Sequence, residues 1–280
     1  MSFVVVTNLG VAVGMMSMSL IDGRSKVYGI IADPIAQVRT PQAMNKIIAE
    51  RGSQAVFVPF HVHADNLGAF LAGLKAWQNL PGFTLTVPHK EATLALCDRL
   101  GPMAKITGSV NVVRKGADGA WEGETYDGLG FVAGMKSQRL DPAGANIYIQ
   151  GAGGAAKSIV AALADTGAAR ISVANRSQSR AATLIDRLNV AYPGRCVLGV
   201  AADLAAADIV VNTTSLGLHE NDPLPIDVSA LSSRQIVAEV VMQPETTPFL
   251  HEARARGCHV HQGIHMLTGQ VIQIANFLGI

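Results

Sequence analysis

Two periods of hydrophobic and polar positions alternate along this chain. Short, nearly continuous apolar runs occur at residues 27–31, 55–58, 147–149, 171–174, 208–212 and 235–241, and runs of this kind predict strands buried on both faces of a sheet. Between them apolar residues recur every three or four positions, as at Leu67, Phe70, Leu71 and Leu74 and again across 266–278, which predicts helices with one buried face. The alternation predicts an α/β protein built from two α/β units: an N-terminal domain over 1–126, completed by a C-terminal helix at 264–280, and a Rossmann-type domain over 127–263.

Local punctuation refines the elements. Thr40-Pro41 reads as the N-cap and first position of a helix over 42–51 that Gly52 ends, and Asp65 reads as the cap of the next helix. A strand from Gly82 should stop at Pro88, which cannot donate to a ladder. Leu94, Leu96 and Leu100 predict a helix, residues 108–113 a strand with Asn111 at its middle, 117–120 a hairpin, and 128–139 a long helix linking the two units. Thr247-Pro248 opens a further helix. The apolar first twenty residues lack a basic segment before the apolar run and are broken by Asn8, Gly10 and Gly14, so the pattern speaks against a signal peptide and a membrane span. An extra strand or a loose extension is expected there, or a true start at Met16 or Met18.

The most informative stretch is 147–160, Ile-Tyr-Ile-Gln-Gly-Ala-Gly-Gly-Ala-Ala-Lys-Ser-Ile-Val. A short β-prone run enters a turn at Gly151, Ala152, Gly153, Gly154 and Ala155 and passes directly into a helical pattern. Glycines there let the backbone turn sharply and approach a pyrophosphate, and the N–H groups of the helix start face its charge. The next strand ends at Asn175-Arg176-Ser177, where this fingerprint meets the adenosine ribose. NAD enzymes usually carry a carboxylate at that point. Arg176 here, with Arg180 four residues on, predicts two guanidiniums on one helix face gripping a 2′-phosphate, and so NADP in preference to NAD.

Composition narrows the partners. In 280 residues, 49% are apolar and the net charge is +1, with no basic run, so the chain has ample core and no electrostatic footprint for nucleic acid. Cys97, Cys196 and Cys258 are too scattered for a disulfide scaffold and fit a reducing, cytoplasmic setting. His61-Val-His63 and His259-Val-His261 each place two imidazoles on one strand face, but no third ligand is placed by sequence, and no metal is expected. Lys90 and Asp127 stand at ends of β elements beside turns, where ligands of open α/β sheets bind. Hydride transfer between an alcohol and a nicotinamide needs a group that exchanges the hydroxyl proton, and either residue can serve.

A set of motifs in fixed order then carries a resemblance. Tyr28-Gly29, Asp33-Pro34, Thr86-Val-Pro-His-Lys90-Glu91, Gly108-Ser-Val-Asn111, Tyr126-Asp127-Gly128, the glycine turn, Asn175-Arg176-Ser177, Asn212-Thr213-Thr214-Ser215, Thr247-Pro248-Phe249 and 263–270 resemble the shikimate dehydrogenases from about Lys26 onward. The resemblance implies a substrate domain and an NADP domain facing a cleft, a small hydroxy acid as substrate, a role in aromatic amino acid biosynthesis, and room for a homodimer. It implies Lys90 and Asp127 as the catalytic pair and Thr40, Thr86, Asn111 and Gln270 as substrate contacts. The glycine turn, Asn175, Arg176, Ser177, Arg180 and Thr213 are the implied cofactor contacts. Two positions depart from the family pattern: Val38 replaces a hydroxyl residue that holds the substrate carboxylate, and Met242 replaces a tyrosine. Each lost hydrogen bond to a charged group should cost about 1.5–3 kcal/mol, so an altered substrate preference is expected, with Arg39 as a replacement charge. A binding-only NADP sensor is the alternative.

Overall fold

The computed structural model describes residues 21–280; the expectations for the first twenty lie outside them. Two six-stranded sheets carry the described chain. The first contains β1 (Lys26–Ala32), β2 (Ala55–His61), β3 (Gly82–Leu85), β4 (Arg99–Leu100), β5 (Val112–Lys115) and β6 (Trp121–Glu124), in the order β2-β1-β3-β5-β6-β4. β1 pairs in parallel with both β2 and β3, while β5 runs antiparallel to β3 and β6. Helices α1 (Thr40–Glu50), α2 (Leu67–Ala76) and α3 (Pro102–Thr107) interrupt these strands, and α4 (Asp127–Ser137) leaves them for the second sheet.

The second sheet is wholly parallel. It runs β7 (Asn146–Gln150), α5 (Gly154–Asp165), β8 (Arg170–Ala174), α6 (Gln178–Ala191), β9 (Cys196–Leu198), α7 (Ala201–Ala206), β10 (Ile209–Asn212), β11 (Ile236–Glu239), α8 (Pro248–Ala255) and β12 (His259–His261). Its order, β12-β11-β10-β7-β8-β9, is that of a doubly wound dinucleotide-binding sheet, with the strand order reversing beside β7. The last helix, α9 (Ile264–Leu278), turns back: Val271, Ile274, Ala275 and Leu278 pack into the core over β1 with Tyr28, whose hydroxyl donates to the Leu278 carbonyl at 3.2 Å.

Several local expectations need correction. Thr40 is the first helical residue of α1, and Arg39 holds the N-cap without a side-chain bond. Asp65 lies inside a 3-10 turn (Ala64–Asn66) whose cap is His63, accepting from the Asp65 N–H, and the N-cap of α2 is Asn66 with no side-chain bond. The apolar spacing at Leu94 and Leu96 forms a 3-10 turn (Ala92–Leu96), not a helix, and Leu100 lies in β4. The reason is a competing ladder: Asp98 N–H donates to the Trp121 carbonyl and Trp121 N–H returns a bond to the Asp98 carboxylate, which draws the chain out beside β6. The strand expected over 108–113 begins only at Val112, because α3 occupies 102–107 and ends at Gly108 in the left-handed region (φ 66°). Glu124 stabilises the start of α3 by accepting from Ala104 N–H at 2.7 Å.

Candidate functional site

A cleft open to solvent separates the two sheets at the carboxyl ends of their strands. Lys90, Thr86, Asn111 and Asp127 line it from the first sheet, Ala155 and Thr213 from the second, and Gln270 reaches it from α9.

The polar centre is one connected network. Lys90 Nζ donates to Asp127 Oδ2, with the two side chains 10% and 3% exposed. Asn111 Nδ2 donates to Asp127 Oδ1 and to Gln270 Oε1, each at 2.9 Å, and its Oδ1 accepts from Tyr126 N–H. Each position has a local cause. The imidazole of His89, 1% exposed, bonds the Val62 carbonyl at 2.9 Å and pins the turn that carries Lys90; burial holds that imidazole below its ordinary pKa. Asp127 opens α4, where the unpaired N–H groups of a helix start favour a carboxylate. Next to it, Gly128 N–H donates to Ser158 Oγ on α5 at 2.9 Å. A Cβ at Gly128 would collide with the Ser158 backbone, so glycine is what lets the two helices meet there. Ser158 was not singled out from sequence; only its place four residues past the glycine turn hinted at it.

The end of the cleft farther along β1 is less polar. Thr40 is buried at 7% exposure and lines the cleft with Thr86, but so do Val38 and Met242. Arg39 is not among the lining residues: its guanidinium donates to Gln243 Oε1 at 2.5 Å on the exposed rim. The expected replacement charge is therefore already engaged.

The glycine turn has the shape of a phosphate cradle. Gly151 adopts φ 122°, which side-chain-bearing residues rarely adopt, and a Cβ there would strike Thr213 Oγ1, which donates to the Gln150 carbonyl. A Cβ on Gly153 would meet nothing, whereas one on Gly154 would stand 2.9 Å from Ser109 Oγ and 3.1 Å from Lys90 Cβ. No side chain caps α5, and Ser109 Oγ is buried without a partner beside it. Open helix N–H groups and a glycine floor suit a pyrophosphate, so the residues present fit a dinucleotide. Ala152 is buried under the turn and Ala155 faces the cleft.

The ribose end differs from expectation in one respect. α6 starts at Gln178, with an extended Ser177 as its N-cap, so Arg176 precedes the helix and does not share an i, i+4 face with Arg180. Asn175 Nδ2 donates to the Ser177 carbonyl and fixes the turn. Arg180 lies 3.5 Å from Glu91, and Arg176 is exposed with no ion pair among the described residues. The histidine pairs scatter: His61 bonds Asp33 at 2.8 Å, and His261 is buried against His265 and Phe131. Among the described residues no group of three or more His, Cys, Asp or Glu is placed to hold a metal ion, and no helix is long and apolar enough to cross a membrane.

A doubly wound sheet with a glycine cradle, facing a buried Lys–Asp pair across a cleft, defines a dinucleotide-dependent oxidoreductase class. Residues 30–113 match the profile described as "Shikimate dehydrogenase substrate binding domain" and residues 133–219 that of "Shikimate / quinate 5-dehydrogenase". A curated relative, the shikimate dehydrogenase (NADP(+)) of Rubrobacter xylanophilus, is 36% identical over 92% of both chains. The crystal structure of shikimate dehydrogenase from Aquifex aeolicus is 28% identical with a TM-score of 0.84, covering 92% of this chain and 94% of that one. A ligand-free 5-ketofructose reductase of Gluconobacter sp. strain CHM43 is 31% identical with a TM-score of 0.77, at the same coverage. This chain belongs to the shikimate dehydrogenase family.

Proposed function

We propose that this protein is an NADP-dependent dehydrogenase of the shikimate dehydrogenase type, which interconverts a ring hydroxyl and a ketone on a small hydroxy acid. Among the described residues the substrate domain runs to 126 with α9 returning to it, and the cofactor domain spans 127–263. The observation that carries the reading is the Lys90–Asp127 pair, buried at the cleft within touch of the glycine cradle. NADP, when bound, takes or gives the hydride. Lys90 and Asp127 hold the proton that leaves or joins the substrate oxygen, and Asn111 and Gln270 fix the Asp127 carboxylate while presenting amide groups to a hydroxyl. Thr40 and Thr86 add hydroxyls along the substrate face, and Gly151 to Ala155, Asn175, Arg176, Ser177, Arg180 and Thr213 form the cofactor face. Relatives that are dehydrogenases over nine-tenths of this chain, together with the intact polar network, weigh against a binding-only sensor.

The departures at Val38 and Met242 support an altered preference within this chemistry. Both line the cleft where a carboxylate would need donors, and Arg39 is tied to Gln243. A similar protein is named a 5-ketofructose reductase, so an uncharged keto sugar is the second reading. The test follows NADPH absorbance with shikimate, quinate and 5-ketofructose. Lys90→Ala should lower kcat about 10²- to 10⁴-fold on whichever compound turns over; a variant as active as the wild type would remove Lys90 from the chemistry. Turnover of shikimate at ordinary affinity would reject the altered preference, and turnover of 5-ketofructose alone would select the second reading.

A further inference from the structure

Three charged side chains meet at the mouth of the phosphate cradle. Glu91, next in the chain to Lys90, comes from the first sheet's side of the cleft. Its Oε2 lies 3.0 Å from Lys157 Nζ and its Oε1 3.5 Å from the Arg180 guanidinium. Lys157 belongs to the first turn of α5, the helix whose uncapped start closes the cradle, and its side chain is only 17% exposed. Arg180 stands on α6 just past the turn where the adenosine ribose is expected. A carboxylate thus sits on both cations, and a phosphate arriving at Arg180 meets a negative group already there.

We propose that Glu91 is a specificity-determining placeholder: it occupies Arg180 in the cofactor-free protein, competes with the 2′-phosphate of NADP, and so sets the affinity for NADP relative to NAD. The proposal rests on the NADP reading of the cradle. A 2′-phosphate carries more charge than a carboxylate and three acceptor oxygens, so it displaces Glu91 from the exposed guanidinium while Lys157 keeps its carboxylate partner. NAD brings only a neutral 2′-hydroxyl to that point and leaves the Glu91–Arg180 pair in place. The pair is solvent-exposed on the Arg180 side, at 61%, so its competition is modest in size.

The test is calorimetric titration of NADP and NAD, separately, into the wild type, Glu91→Gln, Arg180→Ala and the double variant. Glu91→Gln should tighten NADP about two- to fivefold and NAD by less, and the NADP-specific gain should vanish in the Arg180→Ala background. Unchanged or weaker NADP binding in Glu91→Gln would overturn the proposal. So would an equal change for NADP and NAD, or a gain that persists without Arg180. Wild-type protein that binds neither nucleotide would overturn the NADP reading itself, and this proposal with it.

Discussion

Two buried ionisable residues at the strand ends of the second sheet respond to pH in opposite senses. Glu239 is fully buried; its Oε2 accepts from Thr247 Oγ1 at 2.9 Å, its Oε1 has no partner, and burial pushes its carboxyl up to about 7. From its ordinary value of 4.5 up to about 7 the folded protein keeps a proton that the unfolded chain has lost, so stability falls as pH rises through that window. His261 is 1% exposed with neither ring nitrogen bonded, and burial, helped by His265 and His259, pulls it down to about 4. Between 6.5 and about 4 the unfolded chain takes a proton that the folded one does not, so stability falls as pH falls. Where the windows overlap, the two slopes, each about 1.4 kcal/mol per pH unit, oppose one another. Urea denaturation between pH 4.5 and 6.5 should therefore show a steeper acid loss in Glu239→Gln than in the wild type, and the reverse trend in His261→Phe. Equal slopes in all three proteins would refute the assignment. Neither residue stood out as a titrating group in the sequence, because burial of a single Glu or His depends on neighbours distant in the chain.

The helix pair α4 and α5 sets the geometry of the site. Ser158 supplies a partner to the Gly128 N–H at the start of α4, one residue from the Asp127 that bonds Lys90. Ser158→Ala leaves that buried donor without a partner and should cost about 1–3 kcal/mol in urea denaturation; a change below the error of the measurement would mean that another group satisfies it. α5 itself was legible, since a strand run, a glycine turn and a helical repeat follow one another within fifteen residues. β4 was not. Its two residues are held by Glu122 and Gly123, more than twenty positions away, and Leu94, Leu96 and Leu100 mimic a helical spacing that a non-local ladder overrides. The shortfall at Arg176 is smaller in scale: the strand and the helix were both read correctly, but an extended Ser177 moved the helix start past the arginine. In the network, Lys90 and Asp127 could be singled out by their places at element ends. The family resemblance named Asn111 and Gln270 only as separate substrate contacts, and their hydrogen bond, across 159 positions, was not legible in the sequence.

Over the whole molecule, α9 couples the cleft to the first core. Gln270 faces the Asn111–Asp127 network, and one turn later Ile274, 3% exposed, packs with Val271 and Leu278 over β1. Ile274→Ala should lower stability by about 2–5 kcal/mol in thermal or urea denaturation and raise KM through a looser Gln270. Loss of stability with KM intact would separate the two roles of the helix. The second core takes only Met266 from α9, whereas the core over β1 takes Val271, Ile274, Ala275 and Leu278. A ribosome releases this chain from its N-terminus, so β1, β2 and β3 emerge early with α1 and α2 beside them, and the face over β1 waits for the share of its cover that α9 brings. The half of the protein that is made first is completed last, when Val271, Ile274, Ala275 and Leu278 close over the apolar face that Met44, Ile47 and Ile48 cover only in part.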